Sequence, residues 1–370
     1  MTIKTKAAVL WGLDQKWEVE EVDLDGPKEA EVLVKLTASG LCHSDHHLVT
    51  GDMQLPLPVV GGHEGAGVVV EVCPGVTEVA EGDPVVLSFI PACGRCTACA
   101  RGMSNLCELG ANILNGPQLD GTYRFHARGR DLGQMCVLGT FSEYTVVPVS
   151  SVIKVDPGVP LDKAALVGCG VTTGYGSAVR TGETRDGDTV VVMGVGGVGI
   201  NAIQGARIAG ARAIVALDPV DYKRTRSVEF GATHTAATVE EALPLVTELT
   251  RGQMADVCVV TTDVAEGAYV AQGLSLVGKR GRVVLTAVPH PTDTTVDMSL
   301  FDLLFYEKQL RGSVYGSSNP RNDIFKMLDL YGTGQLKLDE LITREYTLED
   351  INQGYDDMFS GVNLRGLIRY

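Results

Sequence analysis

The sequence has no run of the roughly 18 apolar residues that a helical membrane span requires, so none is expected. Its first residues, MTIKTKAAVLWG, carry two lysines but no apolar h-region and no small-residue cleavage site. No secretory signal is expected, and the chain reads as a soluble cytoplasmic protein in a compartment where thiols stay reduced. Basic charge is also scarce: 31 Lys and Arg stand against 46 Asp and Glu, a formal net charge of −15. Nucleic acid demands a clustered basic surface, so neither it nor an anionic membrane is an expected partner. Internal repeats and low-complexity linkers are missing. What is present, 45% hydrophobic and 21% charged residues, describes an ordinary globular protein. The length allows two or three domains.

Nine cysteines in 370 residues is a modest number, yet four fall within the short stretch CGRCTACARGMSNLC, at Cys93, Cys96, Cys99 and Cys107. Three arrangements compete. Disulfides are disfavoured in a reducing compartment. A redox pair needs one CxxC, whereas Cys96 is shared by two overlapping ones and a fourth cysteine is left over. Tetrahedral zinc takes four thiolates at about 2.3 Å, and two-residue spacers let one short loop wrap the ion. A structural zinc is the expected occupant, with redox chemistry as the alternative. Four protein ligands leave no position for a substrate, so such a loop is scaffolding.

The chain divides into three parts. From Met1 to about Val155, strand-like runs such as EVLVKLTASG, GAGVVVEV and DPVVLSF are separated by Gly, Pro and Asp. From about Asp188 to Val314 strands and helices alternate: TVVVMGV, AIVALD, ADVCVVTT and GRVVLTAV each lead into or follow a helical segment. That rhythm predicts a parallel sheet with helices on both faces. The tail carries an amphipathic helix around RNDIFKMLDLY and ends in the strand-like LRGLIRY. A tail that reverts to the character of the first part implies one domain interrupted by another, an α/β architecture.

Gly194, Gly196 and Gly199 have the GxGxxG spacing, after an apolar β-branched run and at the start of a helical segment. Gly194 permits the tight turn, Gly196 lets the backbone approach a pyrophosphate, and Gly199 allows close helix-on-strand packing. The helix N-terminus offers its unpaired N–H groups to phosphate. Asp218 ends the next strand and would accept hydrogen bonds from both adenosine ribose hydroxyls. A carboxylate there repels a 2′-phosphate, and Pro219 rather than an arginine follows, which favours NAD over NADP.

Two further segments supply metal-ligand types. GLCHSDHHLVTGD holds Cys42, His43, Ser44, Asp45, His46 and His47, and VVGGHEGAGVV holds His63 and Glu64. Cys169 lies far along the chain in LVGCGVTTGYG. Taken singly, each has a plainer reading, since a lone cysteine is most often a small core hydrophobe.

Together, GLCHSDHH, GGHEGAGVV, the Cys93-to-Cys107 loop, GCGVTTGYGSAV, GVGGVG and NLRGLIRY make the chain resemble the zinc-dependent, medium-chain alcohol dehydrogenases over essentially its whole length. The resemblance implies a GroES-like β-rich catalytic domain, residues 1–170 and 314–370, interrupted by a Rossmann doubly wound NAD-binding domain, residues 171–313. It implies that Cys42, His63 and Cys169 hold a catalytic zinc with one position open, beside the structural zinc. Glu64 would stand behind the metal, and Asp45 would orient His63. Ser44 and His47 would relay the alcohol's proton to water. The cofactor would meet Gly194, Gly196, Gly197, Val198 and Gly199, with Asp218 and Lys223 at the adenosine ribose, His43 and Arg365 at the pyrophosphate, and Thr173 and Val198 near the nicotinamide. Phe89 and Met53 would line an apolar substrate channel for a small alcohol or aldehyde.

Within the family, AAVLWGLDQKWEVEEVDLDGP, LSFIPACGRC, LDGTYRFHARG, GQMCVLGTFSEYTVVP and LDELITREYTLEDINQGYDDM are similar to the nicotinoprotein branch, which depends on a nitroso-dimethylaniline acceptor. Such enzymes keep NAD through turnover and pass electrons to another carrier, of the mycofactocin kind. A thiol-dependent formaldehyde dehydrogenase shares the zinc motifs and is the alternative; an inactive NAD-binding module is the remote one. The resemblance also implies a homo-oligomer, most simply a dimer joined sheet edge to sheet edge through LRGSVYGS.

Overall fold

A computed structural model describes residues 2–290, 292–296 and 298–370. Two compact units emerge: the first comprises Met1–Cys169, Asn319–Gly334 and Leu338–Tyr370, and the second Gly170–Ser318 with Gln335–Lys337.

In the first unit, five strands close into a barrel in the order Ile3–Leu10, Glu18–Leu24, Phe125–Ala127, Arg130–Gln134 and Val59–Val60. A seven-stranded sheet adjoins it, and its long member is Glu31–Gly40. The chain end returns here. Strand Arg365–Arg369 pairs antiparallel with Glu31–Gly40, Leu367 opposite Gly40, and so the tail's last strand joins the same sheet as the first part. Val32, Val34 and Leu36 alternate into a core with Leu10, Trp17, Val69, Leu87 and Phe141. Each fully buried side chain of that size contributes about 1.5–3 kcal/mol. At the start of the long strand, buried Arg124 grips Glu31 through two bonds of 2.7 and 2.8 Å. Removing Arg124 strands the buried Glu31 carboxylate, which costs about 3–5 kcal/mol; without Glu31 the guanidinium still keeps Asp120 at 2.9 Å. The strand is thus pinned at one end and delivers Leu41 and Cys42 at the other.

In the second unit six parallel strands form one sheet: β1 Thr189–Met193, β2 Ala213–Leu217, β3 His234–Ala236, β4 Ala255–Val260, β5 Val277–Leu285 and β6 Gln309–Gly312. Their order is 3-2-1-4-5-6, the doubly wound arrangement with its switch between β1 and β4. Val190–Val192 and Val257–Val260 are wholly buried, as expected of strands covered on both faces. β3 carries no apolar run, and its three residues, HTA, give the sequence pattern nothing to show.

The division differs from the expected 170/171 and 313/314 boundaries. The second unit runs on to Ser318 and takes back residues 335–337, because Gln204 exchanges hydrogen bonds with the backbone of Lys337 at 2.8 and 3.0 Å.

Candidate active site

The four loop cysteines come together. Their sulfurs lie within 4.8 Å of one another, with Cys93 and Cys99 4.0 Å apart and Cys96 and Cys107 3.9 Å apart. All nine cysteines are free, so the loop holds thiols and not disulfides. Backbone N–H groups of Cys96 and Cys99 point at the sulfurs of Cys93 and Cys96, at 3.3 and 3.5 Å. The N–H groups of Cys99 and Glu108 hold the Cys96 thiol down to about 6, whereas burial pushes Cys107 up to about 12. A loop whose backbone N–H groups are turned toward its sulfurs suits a cation.

A second cluster joins residues far apart in the chain. Ligand atoms of Cys42, His63, Glu64 and Cys169 also lie within 4.8 Å of one another, and all four residues are buried. Local rules position the first of them. Cys42 is the extended N-cap of the His43–Thr50 helix, and Asp45 accepts its backbone N–H at 3.2 Å. The other oxygen of the wholly buried Asp45 carboxylate takes Gly62 N–H at 3.1 Å and His63 Nδ1 at 2.9 Å. One carboxylate thus ties the helix start to the His63 loop and fixes the ring. Burial opposes charge on His63, yet Asp45 holds its pKa well above the ordinary value.

The donor set fits a divalent metal. His63 Nε2 is buried without a hydrogen-bond partner, an arrangement native proteins rarely leave unexplained. The Cys42 thiol sits well below its ordinary range, held by the neighbouring Cys169 S–H, and Cys169 sits well above it, because a second thiolate beside the first is opposed. A cation of charge two would relieve that opposition and occupy the partnerless nitrogen. Two thiols, an imidazole and a carboxylate are all donor types that zinc takes.

The remaining expected residues divide. Ser44 Oγ lies 3.7 Å from Cys42 Sγ, and His47 follows it on the same helix. Phe89 sets its ring edge-on to His63 with centroids 5.7 Å apart. Met53 instead lines a cavity of about 520 Å³ with Leu13, Gln54, Leu55, Pro56 and Leu57, and Phe89 is not among its walls. Arg365, expected at the pyrophosphate, directs a guanidinium nitrogen to Glu64, and His43 packs edge-on against Phe359.

In the second unit, Gly194 turns at φ +87°, where any Cβ would stand 2.6 Å from the Thr261 carbonyl. A Cβ on Gly199 would lie 1.9 Å from the Gly194 oxygen, so helix Gly197–Ile208 could not seat with a larger residue. At Gly196 the Cβ position is open space. The backbone there is bare, as a phosphate approach requires. Val198 lies in the first turn of that helix, and Lys223 on the next, Asp221–Phe230. Asp218 accepts Val195 N–H at 2.7 Å and Val220 N–H at 2.9 Å, which places its carboxylate beside the glycine turn. Thr173 lies buried in helix Gly170–Gly176.

Two family descriptions match the chain: the alcohol dehydrogenase GroES-like domain over residues 28–157, and the zinc-binding dehydrogenase domain over residues 197–333. An NDMA-dependent alcohol dehydrogenase of Amycolatopsis methanolica is 51% identical over 368 residues, covering 100% of this chain and 99% of that one. The chain belongs to the zinc-dependent medium-chain alcohol dehydrogenases. Within them it falls in the nicotinoprotein branch. Alcohol dehydrogenase B of Mycobacterium tuberculosis is 50% identical over 370 residues, 100% of this chain and 99% of its own. Among solved structures, an alcohol dehydrogenase zinc-binding domain protein from Burkholderia ambifaria matches with a TM-score of 0.94 at 33% identity, over 100% of this chain and 99% of its own. Benzyl alcohol dehydrogenase from Acinetobacter calcoaceticus matches at 0.92 and 28%, over 99% of both chains.

This alcohol dehydrogenase is accordingly an oxidoreductase that uses zinc and a nicotinamide cofactor. Its site contains residues that sequence reading passed over. Tyr355 lies 313 positions from Cys42 and donates its hydroxyl to the Cys42 carbonyl at 3.4 Å. No local pattern marks it. Asp52 did leave a signal: Gly51, at φ +82°, ends the helix and folds the chain back. The Asp52 carboxylate thereby comes within 3.4 Å of the buried His47 Nδ1.

Proposed function

We propose that this dehydrogenase oxidises a small alcohol with NAD that stays bound through turnover, and that its electrons leave to an external carrier of the mycofactocin kind. The carrying observation is the buried convergence of Cys42, His63, Glu64 and Cys169 in a chain 51% identical to an NDMA-dependent relative. Bound zinc supplies a Lewis acid that lowers the pKa of an alcohol hydroxyl, and bound NAD supplies a hydride acceptor. Cys42, His63 and Cys169 are the metal's ligands in this reading, and Cys93, Cys96, Cys99 and Cys107 hold a second, structural zinc. Ser44 takes the alcohol's proton and His47 passes it toward water. Asp45 keeps the His63 ring in register, and Phe89 excludes water beside it. Gly194–Gly199 receive the pyrophosphate, and Asp218 with Lys223 the adenosine ribose, with the Asp218 carboxylate disfavouring a 2′-phosphate. His43 and Arg365 complete the anion contacts.

The assembly is read as a homodimer. β6 is the sheet's last strand, and nearby Leu300, Phe301, Leu304 and Phe305 are 57–77% exposed. An edge strand flanked by such apolar surface invites a second copy. Sedimentation of wild type beside Phe301→Lys tests this, with a dimer and a monomer expected.

The test of retention is direct. Denatured wild-type protein should release about one NAD or NADH per chain, and an alcohol with a nitroso-aniline acceptor should turn over without added NAD. A requirement for added NAD, with stoichiometric free NADH, would make it a conventional exchanging dehydrogenase.

A further inference from the structure

The second unit contains an unbroken chain of hydroxyls. Helix Gly170–Gly176 continues as one turn of π-helix, Ser177–Thr181, a distortion that is rare and concentrated at functional sites. Ser177 Oγ donates to the Thr173 carbonyl at 2.7 Å and meets Ser313 Oγ at 3.1 Å. Thr181 Oγ1 lies 2.8 Å from both Ser313 Oγ and Ser317 Oγ. Thr286 Oγ1 donates to Ser177 at 2.9 Å. A hydroxyl has one proton to give. Because Ser177 spends its proton on a carbonyl, Ser313 must donate to Ser177, Thr181 to Ser313, and Ser317 to Thr181. One set of proton directions satisfies the whole chain.

What this chain holds is strained. Tyr315, Gly316 and Ser317 have φ of 55°, 64° and 51° in succession. Tyrosine and serine adopt that region only when their surroundings enforce it. The segment is also pressed onto the helix: a Cβ at Gly316 would stand 2.5 Å from the Thr173 carbonyl, and one at Gly176 would stand 2.2 Å from the Gly316 carbonyl.

The location gives the device a purpose. Thr286 follows β5 and Ser313 follows β6, both at the carboxyl edge of the parallel sheet, where a dinucleotide lies in this fold. The glycine turn and Asp218 assign the adenosine half to β1 and β2, so the nicotinamide half falls on the side of β4, β5 and β6. Two hydroxyls there, Thr173 Oγ1 and Thr262 Oγ1, are buried with no hydrogen-bond partner. They are polar atoms left for a ligand.

We propose that the hydroxyl chain Thr286–Ser177–Ser313–Thr181–Ser317 is a latch that pins the strained segment 313–318 at the nicotinamide end and sets how slowly NAD leaves. It rests on the reading that NAD is retained. Thr181, Ser313 and Ser317 are positioning residues: they act through the segment. Affinity differences within one family of sites appear mainly in the off-rate, and a latch acts on that rate.

The test uses the purified enzyme with its resident NAD. Exchange against excess deuterated NAD is followed by mass spectrometry after gel filtration and denaturation. Thr181→Val, which keeps the shape and breaks two links, should exchange about tenfold faster or more than wild type. Thr181→Ser should exchange near the wild-type rate. Thr184→Val should too, since that hydroxyl donates to the Ala178 carbonyl at 2.7 Å and lies outside the chain. If Thr181→Val fails to fold, Ser317→Ala removes only the terminal hydroxyl and reads the same rate. Slow wild-type exchange that these variants leave unchanged overturns the latch alone. Wild-type exchange complete within the mixing time overturns the retention reading and the latch with it.

Discussion

The two thiol clusters of this enzyme use the same chemistry in opposite ways. The Cys93–Cys107 loop gathers four sulfurs from a continuous stretch, and Cys93, Cys96 and Cys99 are only half-buried. The Cys42–His63–Cys169 cluster draws on three distant parts of the chain and is buried throughout. Around the loop, backbone N–H groups supply the support. Around the buried cluster, Asp45, Glu64, Arg365 and Tyr355 supply it. A saturated site needs only a folded loop. A site with a vacant coordination position needs a surrounding framework to hold its geometry while substrate comes and goes.

Breaking each cluster separately sharpens that contrast. The largest effect is expected from Cys169→Ala: turnover should fall by about 10³-fold or more, since the metal's several kcal/mol of charge stabilisation is lost. Its melting temperature should stay near wild type, because Cys169 joins two short helices, Ala165–Gly168 and Gly170–Gly176, and no strand pairing includes it. Calorimetry and steady-state rates measure both. Next comes Ser44→Ala, which should cost about 10²–10⁴-fold in alcohol oxidation, the usual worth of a placed proton acceptor. His47→Gln should cost less, since water can replace the last transfer. Near-wild-type rates in Ser44→Ala would remove the relay.

Asp45→Asn should be milder still, a loss of about 10–100-fold in metal affinity or activity, because it loosens the ring that His63 presents. Dialysis against a graded chelator followed by activity reads this. Smallest in rate is Cys99→Ala. It should lose the loop's metal and lower the melting temperature, because metal binding there is coupled to folding. Its turnover per folded molecule should remain close to wild type.

How much of this was legible in the sequence depends on how locally each feature is built. The gathering of the four loop sulfurs was legible, as was the tight turn at Gly194, since each lies within one short stretch. The β-branched runs of β1, β2, β4 and β5 announced a buried parallel sheet. β3 did not, because HTA has neither length nor an apolar pattern. Cys42 and Cys169 gave no sign of their proximity except by resemblance, since 127 positions of sequence separate them. The pairing of Arg365 with Glu64 was hidden for the same reason: strand Arg365–Arg369 is brought to the site by long-range pairing with Glu31–Gly40 on one side and Ile342–Tyr346 on the other. Tyr355 is the extreme case, a hydroxyl whose partner is a backbone carbonyl that no side-chain pattern encodes.

The measurement that bears most directly on the two-cluster account is zinc content taken beside activity in the same preparations. Fully active wild type should carry about two zinc ions per chain, one for each thiol cluster. Cys169→Ala should retain the loop's zinc and show no turnover, and Cys99→Ala should retain the buried one and keep turning over. A fully active wild-type preparation with only one zinc per chain would contradict the account.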